Sequence, residues 1–183
     1  MDQGLLPRRY AKALYLTAVE RNQQLSVYTL MNNLGAAFAN LPDMSRTIAN
    51  PFVSDADKTA IVLSAAQADP QKDSTFADFI KLLEKNKRIS IIRDIANAYQ
   101  DIYRKANNIY RVAVTAAAPL SDADENRLKS LIISHLKGGS MEYSFKTDPD
   151  LIGGFTVNID NERLDASVKN ELKQLRLNLL GQK

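Results

Sequence analysis

The chain has 183 residues, of which 45% are hydrophobic and 25% are charged, and its formal net charge is +3. These values are ordinary for a globular protein, and the length suits one domain or two small ones, of which we expect two. No apolar run approaches the roughly 20 residues of a membrane-spanning helix, and the N-terminus lacks the apolar core of a secretory signal. The absence of cysteine excludes disulfides and thiolate metal sites. We therefore expect a protein that stays inside the cell and is not an integral membrane protein.

The first part of the chain carries apolar side chains at helical spacing. Tyr10, Leu14 and Ala18 recur every four residues after Pro7, a residue favoured in a first helical turn. Ser54 follows an Asn-Pro break and is placed to cap the next helix. The pattern predicts six helices, at residues 7–22, 25–40, 44–49, 55–66, 74–85 and 89–106. We expect them to form one helical bundle over residues 1–106.

The hydrophobic period changes after Asn107-Asn108. Tyr110, Val112 and Val114 alternate with polar or small residues, as in a strand. This change predicts a domain boundary, because a helical bundle and a sheet bury their apolar side chains in different patterns. We expect a small α/β domain over residues 107–183 and an α+β fold for the whole chain.

Turn and cap signals order the second domain. Ser121 with Asp124 three residues later fits a capping box, which opens a helix that ends at Gly138-Gly139. Alternation returns over residues 141–145, so a second strand is predicted there. The order becomes strand, helix, strand, strand, helix.

A tandem glycine precedes the third predicted strand. Gly153 and Gly154 can adopt backbone angles closed to other residues, and the alternating Phe155, Val157 and Ile159 then share one face. A polar turn follows, and a helix is predicted from residue 165 onward. Its apolar stripe consists of Val168, Leu172, Leu175 and Leu179.

The residue types that support catalysis have structural explanations. His135 is the only histidine, and neither cysteine nor a second histidine can join it as a metal ligand. The glycine pairs lack the following Lys-Ser/Thr of a phosphate loop. The carboxylate pairs lie in turns or at helix starts, at Asp55/Asp57, Asp148/Asp150 and Asp160/Glu162. We expect no catalytic residue, no cofactor and no metal, although a transferase or hydrolase site assembled from distant residues stays open.

A basic cluster supports an alternative function, RNA binding. It consists of Lys81, Lys85, Lys87, Arg88 and Arg93, and the strands add Tyr110, Tyr143 and Phe155 as potential stacking residues. Against this alternative, the chain has neither an aromatic RNP-like motif nor a GXXG loop. Cations near a helix C-terminus are also common on solvated surfaces. We expect no nucleic-acid partner and no stable homo-oligomer.

Five segments together resemble one known family. They are PRRYAKALYLTAVE at residues 7–20, NPFVSDADK at 50–58, FADFIKLLEKNKRISIIRDIANAYQDIY at 76–103, RVAVTAAAPLSDAD at 111–124 and LIGGFTVNIDNERL at 151–164. In order and spacing the chain resembles the delta subunit of bacterial F-type ATP synthase, whose mitochondrial counterpart is the oligomycin sensitivity-conferring protein. The resemblance implies a non-catalytic stator subunit at the cytoplasmic face of a bacterial membrane, associated with the membrane only through the complex.

The resemblance also implies partners. In that family the helical domain holds the N-terminal segments of the α subunits in a groove between its first and fifth helices, and the C-terminal domain meets the b subunits. The implied groove residues are Tyr10, Ala13, Leu14, Thr17, Phe79, Ile80 and Leu83. The implied b-subunit contacts are Val168, Leu172, Leu175 and Leu179. The same side chains also suit the bundle core or the cover of the sheet, so both roles stay open.

Overall fold

The computed structural model describes residues 4–69, 71–136 and 138–173. The chain divides into two compact units, Met1–Arg104 and Lys105–Lys183. The first unit is helical, and the second is built on a four-stranded sheet. The predicted α+β class is therefore confirmed.

The helical part contains the predicted helices with one change. Its α-helices are α1 Leu5–Glu20, α2 Gln24–Asn40, α3 Pro42–Ala49, α4 Asp55–Ala66, α5 Ser74–Lys85 and α6 Ile92–Ala106. The prediction of one continuous helix over 89–106 is wrong in its first turn, where Ile89–Ile91 forms a 3-10 helix. Adjacent isoleucines give one apolar run whether the turn is α or 3-10, so periodicity does not separate the two. The described residues of the helical part therefore form one helical element more than the six predicted.

The predicted caps and core of this part are found in the structure. The Oγ of Ser54 accepts a hydrogen bond from the backbone N–H of Asp57 at 3.1 Å, which satisfies one of the free donors at the start of α4. Leu14 and Ala18 face the interior from α1, as their fourfold spacing predicts. Large side chains that are fully buried with them include Met31, Leu34, Phe76, Ile80, Leu83 and Tyr99.

The sheet of the second unit has mixed topology. Its elements are β1 Ile109–Ala116, α7 Asp122–His135, β2 Ser140–Thr147, the 3-10 helix Pro149–Leu151, β3 Gly154–Ile159 and β4 Glu162–Ser167. The strand order is β2-β1-β3-β4, with β2 parallel to β1 and the other pairs antiparallel. The crossover from β1 to β2 carries α7, as a parallel pair requires.

One face of this sheet holds the core of the second unit. Val112 and Val114 of β1 lie beside Val157 of β3, and Ile132 and Leu136 cover them from the α7 side. The alternation of apolar residues in β1 and β3 correctly identified this buried face.

The sequence analysis missed the strand β4 and wrongly placed a helix from residue 165 onward. Residues up to Ser167 pair with β3, and helical residues begin at 168. The Oγ of Ser167 accepts the N–H of Asn170 at 3.2 Å, so Ser167 caps that helix. Leu164 is exposed at the sheet edge, and β4 shows no apolar alternation although it pairs with β3 along its whole length.

The tandem glycine serves backbone geometry. Gly154 has φ +74°, and a Cβ at this position would collide with the carbonyl oxygen of Ala166 on β4. A Cβ on Gly153 would lie 3.0 Å from Cγ2 of Val168. The glycine pair therefore allows the start of β3 to pass close to β4 and the final helical segment.

Candidate partner-binding surfaces

The helices α1 and α5 are joined at both ends. Near the end of α1, the guanidinium of Arg21 donates to Asp78 at 3.1 Å and to Thr75 at 3.4 Å. Near the start of α1, the side-chain amide of Asn86 donates to the hydroxyl of Tyr10 at 3.4 Å. The start of α1 thus lies beside the end of α5, so the two helices run antiparallel.

The predicted groove residues fall into two groups. Leu14, Phe79, Ile80 and Leu83 are buried in the helical unit, and Leu83 is 0% exposed. Tyr10 and Thr17 are half-buried and Ala13 is exposed. The buried side chains pack in the core of the helical unit. Of the predicted groove residues, Tyr10, Ala13 and Thr17 are therefore the ones that present surface to another chain.

Leu82 is an exposed apolar residue on the same side of α5 that sequence reasoning missed. Its side chain is 46% exposed, and it lies four residues after Asp78, which contacts α1. Residues three and four apart share one helix face, so Leu82 borders α1. Adjacent residues of a helix point about 100° apart. The pair Leu82-Leu83 could therefore have indicated that one of the two leucines faces away from the core.

We call Tyr10, Ala13, Thr17 and Leu82 the α1–α5 face. The Tyr10 ring contacts Phe79 edge-on with 6.4 Å between centroids, so the tyrosine is held in place by the core. Ala13 and Thr17 are small, which permits close approach of a partner backbone. The arrangement suits an amphipathic helix lying along the two helices.

The C-terminal stripe is exposed where the structure describes it. Val168 is 37% exposed and Leu172 is 52% exposed, while Leu175 and Leu179 lie outside the described residues. The described members therefore do not cover the sheet face, which α7 covers instead. Ile152 is also exposed. It lies close to Val168, because the carbonyl of its neighbour Gly153 accepts the N–H of Val168 at 3.1 Å.

A second apolar surface in the helical unit was not predicted. A groove of about 660 Å³ lies between α3 and α4, lined mainly by Leu41, Met44, Ala60 and Ile61. Phe52, in the connection between the same helices, is 94% exposed. The Asn-Pro break in the sequence identified this connection but gave no reason to expect an exposed aromatic ring.

The candidate acid–base residues occupy structural positions. The Asp148 carboxylate accepts the N–H of Asp150 at 3.1 Å, and the Asp160 carboxylate accepts the N–H of Arg111 at 3.0 Å. His135 is exposed in the last turn of α7. Across residues 4–69, 71–136 and 138–173, no group of three His, Cys, Asp or Glu side chains is placed to hold a metal ion.

Two shifted pKa values also have structural causes. Burial raises the pKa of Tyr99, whose hydroxyl donates to the carbonyl of Gln24 at 3.2 Å. Hydrogen bonds from Ser167 lower the pKa of Asp165, with a smaller contribution from Arg163. Asp165 thereby stabilises the Ser167 cap, and neither shift creates a group poised for proton transfer.

The residues proposed for RNA stacking are not presented to solvent as a platform. Tyr110, Tyr143 and Phe155 pack against the core beneath α7. Lys129 lies over the Tyr143 ring at 4.5 Å. These three rings therefore take part in the packing of the second unit.

Among the helices that the structure describes, none combines the length and the apolar content needed to cross a bilayer.

Comparison with known proteins places the chain among one set of relatives. A family model described as ATP synthase delta (OSCP) subunit matches residues 6–179. The ATP synthase subunit delta of Bacteroides thetaiotaomicron is 33% identical over 176 residues, which cover 96% of this chain and 94% of that protein. The ATP synthase subunit delta of Parabacteroides distasonis is 33% identical over 180 residues, 98% of each.

A solved structure shares the fold. A chain in the cryo-EM structure of the Toxoplasma gondii mitochondrial ATP synthase hexamer superposes with a TM-score of 0.73 at 21% identity. The match covers 96% of this chain and 97% of that one. The architecture described above is therefore shared over nearly the whole length.

Proposed function

The chain belongs to the ATP synthase delta (OSCP) subunit family, whose members are structural, non-catalytic components of the peripheral stalk, and from this premise we propose its specific linkage. The helical unit binds the N-terminal segments of the α subunits of the catalytic head. The second unit binds the membrane-anchored b subunits. The chain thereby prevents the head from turning with the rotor and couples torque to ATP synthesis and proton transport.

The α1–α5 face is the observation that carries this proposal. Its residues present small and apolar surface between two helices whose contacts at Arg21 and Asn86 fix their spacing. A preformed surface loses little conformational entropy on binding, which favours slow dissociation under load. Leu82 is the apolar anchor that we expect to contribute most.

The second unit offers the surface proposed for the b subunits. Ile152 and Val168 expose apolar side chains on either side of the Gly153–Val168 contact, and the exposed Leu172 follows Val168 by four residues in the same helical segment. Such a patch on a folded unit marks an interaction site more often than single exposed residues do. Leu175 and Leu179 continue the stripe in sequence and belong to the same proposal.

The proposed setting is the cytoplasmic face of a bacterial membrane, where the chain is peripheral and held only through the complex. It acts as a single copy without cofactor or nucleic acid. One copy facing several α subunits cannot make equivalent contacts with all of them, so at least some of its contacts with the α segments are inequivalent.

Peptide binding by the full chain tests this linkage. A synthetic peptide from the N-terminus of the α subunit of the same organism should form a one-to-one complex in native mass spectrometry. Leu82→Asp should weaken binding by about 2 kcal/mol, because the carboxylate loses water against the apolar side of the peptide. Leu25→Asp is the matched control, because Leu25 is an exposed leucine of α2. Equal weakening by both variants, or no complex, would contradict the assignment.

A further inference from the structure

The α1–α5 face has a basic end. Arg9 lies in the first turns of α1, and Lys85, Lys87 and Arg88 lie in or just after the last turn of α5, all of them exposed. The hydrogen bond between Tyr10 and Asn86 brings these two helix ends together.

The charges at this end are not neutralised by neighbours. Within the described residues, none of the four cations forms an ion pair within 4.0 Å. Glu84, the residue before Lys85, accepts the hydroxyl of Thr59 on α4 at 3.0 Å, and its single negative charge is outnumbered by the four cations. A net positive potential therefore remains beside the face.

The other end of the face has the opposite sign. Glu20 is exposed at the end of α1, and the next cation, Arg21, is neutralised by Asp78 at 3.1 Å. Asp73, just before α5, accepts the hydroxyl of Ser26 at 2.6 Å and forms no ion pair with the described residues. The far end thus carries a negative excess.

We propose that the α1–α5 face binds its partner helix in one direction, with the acidic end of that helix at Arg9 and Lys85 and its less acidic end at Glu20. The inference rests on the proposed function and adds the partner's charge pattern and orientation. At 1.5 Å per residue, Arg9 and Glu20 are about 16 Å apart along α1, which about three turns of a partner helix span.

The apolar residues of the face cannot select a direction, whereas the charges at its ends can. A reversed helix would bring like charges together at both ends, and such contacts suppress wrong arrangements more than matching contacts add affinity. Leu82 and the small residues of α1 then provide affinity, while Arg9, Lys85 and Glu20 provide orientation.

Two spin-labelled peptides test the orientation on the full chain labelled with nitrogen-15. The α-subunit peptide carries a nitroxide at its more acidic end in one sample and at its other end in the second. The acidic-end label should broaden the amide signals of Arg9 and Lys85 more than that of Glu20, and the other label should do the reverse. The opposite pattern, or equal broadening, would overturn the orientation while binding itself stays intact. Absence of binding by both peptides would overturn the proposed function as well.

Charge reversal gives a second, independent readout. Lys85→Glu should weaken peptide binding about fivefold at low salt, and Arg46→Glu on α3 should change it less than about twofold. The difference should shrink at 1 M salt, where the screening length falls to about 3 Å. Equal affinity of the wild type and Lys85→Glu would overturn the proposal.

An anionic membrane surface is the competing use of the basic end. It would engage the cations and leave the apolar face and Glu20 without a role. If the chain binds phosphatidylglycerol vesicles, if Lys85→Glu abolishes that binding and if the vesicles exclude the peptide, the basic end serves lipid and the proposal is overturned.

Discussion

Among the residues that the structure describes, the two units differ in the hydrophobic side chains that they bury. The helical unit encloses large side chains such as Met31, Phe76 and Tyr99 among several helices. The described part of the second unit has a smaller buried cluster around Val112, and Leu164 is exposed at its sheet edge. A core of the first kind supports a rigid receptor surface, whereas a small core leaves the second unit more dependent on its partner.

Removing the second unit should have the largest effect on the chain, because it eliminates the thermal transition of that unit. A fragment of residues 1–106 should keep one cooperative thermal transition at the temperature of the helical transition in the full chain, because its core side chains all lie within it. Circular dichroism of the fragment and the full chain makes the comparison. An unfolded fragment would show that the helical core depends on the second unit.

A charge in the helical core should have the next largest effect, which is the loss of the helical transition. Leu83→Asp places a carboxylate where the side chain is 0% exposed, and we expect a loss of about 4 kcal/mol or more in the free energy of unfolding. Thermal denaturation should show the helical transition lost and the second one kept. Leu82→Asp on the neighbouring position is the control and should stay folded.

The tandem glycine tests the second unit in the same way. Gly154→Val should destabilise it by about 3 kcal/mol, since the side chain meets Ala166 and the positive φ disfavours a β-branched residue. Only the transition of the second unit should fall in differential scanning calorimetry. Gly4→Val is the control, because a Cβ there has nothing within 4 Å. Unchanged stability would show that backbone geometry is not the role of Gly154.

The smallest expected effects come from the serine caps, an interaction that both units contain. Ser54 and Ser121 each accept a backbone N–H three residues later, at 3.1 Å and 3.2 Å. Ser54→Ala and Ser121→Ala should each cost about 1 kcal/mol, and each should lower only the transition of its own unit. If Ser54→Ala lowers both transitions equally, the units do not unfold separately.

The same contrast explains what the sequence could predict. Periodicity identified the helices, the buried faces of β1 and β3, and the serine caps because those patterns depend on local spacing. It missed β4, whose pairing with β3 is a backbone interaction that exposed residues such as Leu164 do not reveal. An exposed edge strand such as β4 lacks the apolar alternation that marked β1 and β3.

The candidate site was only partly predictable for a related reason. An apolar residue on α5 can serve the core or a partner, and its exposure depends on how α1 packs against α5. The contacts at Tyr10 and Arg21 decide that Leu83 faces inward and Leu82 outward. The resemblance to a family indicated the helix pair, and the structure shows which of the two leucines is exposed.

Reconstituted ATP synthase gives the most direct test of the stator role. Membranes containing complexes that lack this chain are supplemented with the wild type, Leu82→Asp or Leu25→Asp, and proton pumping driven by ATP hydrolysis is measured. The wild type and Leu25→Asp should restore pumping, and Leu82→Asp should not, while hydrolysis by the detached head stays the same in all samples. Full restoration by a folded Leu82→Asp variant would contradict the claim that the α1–α5 face holds the head.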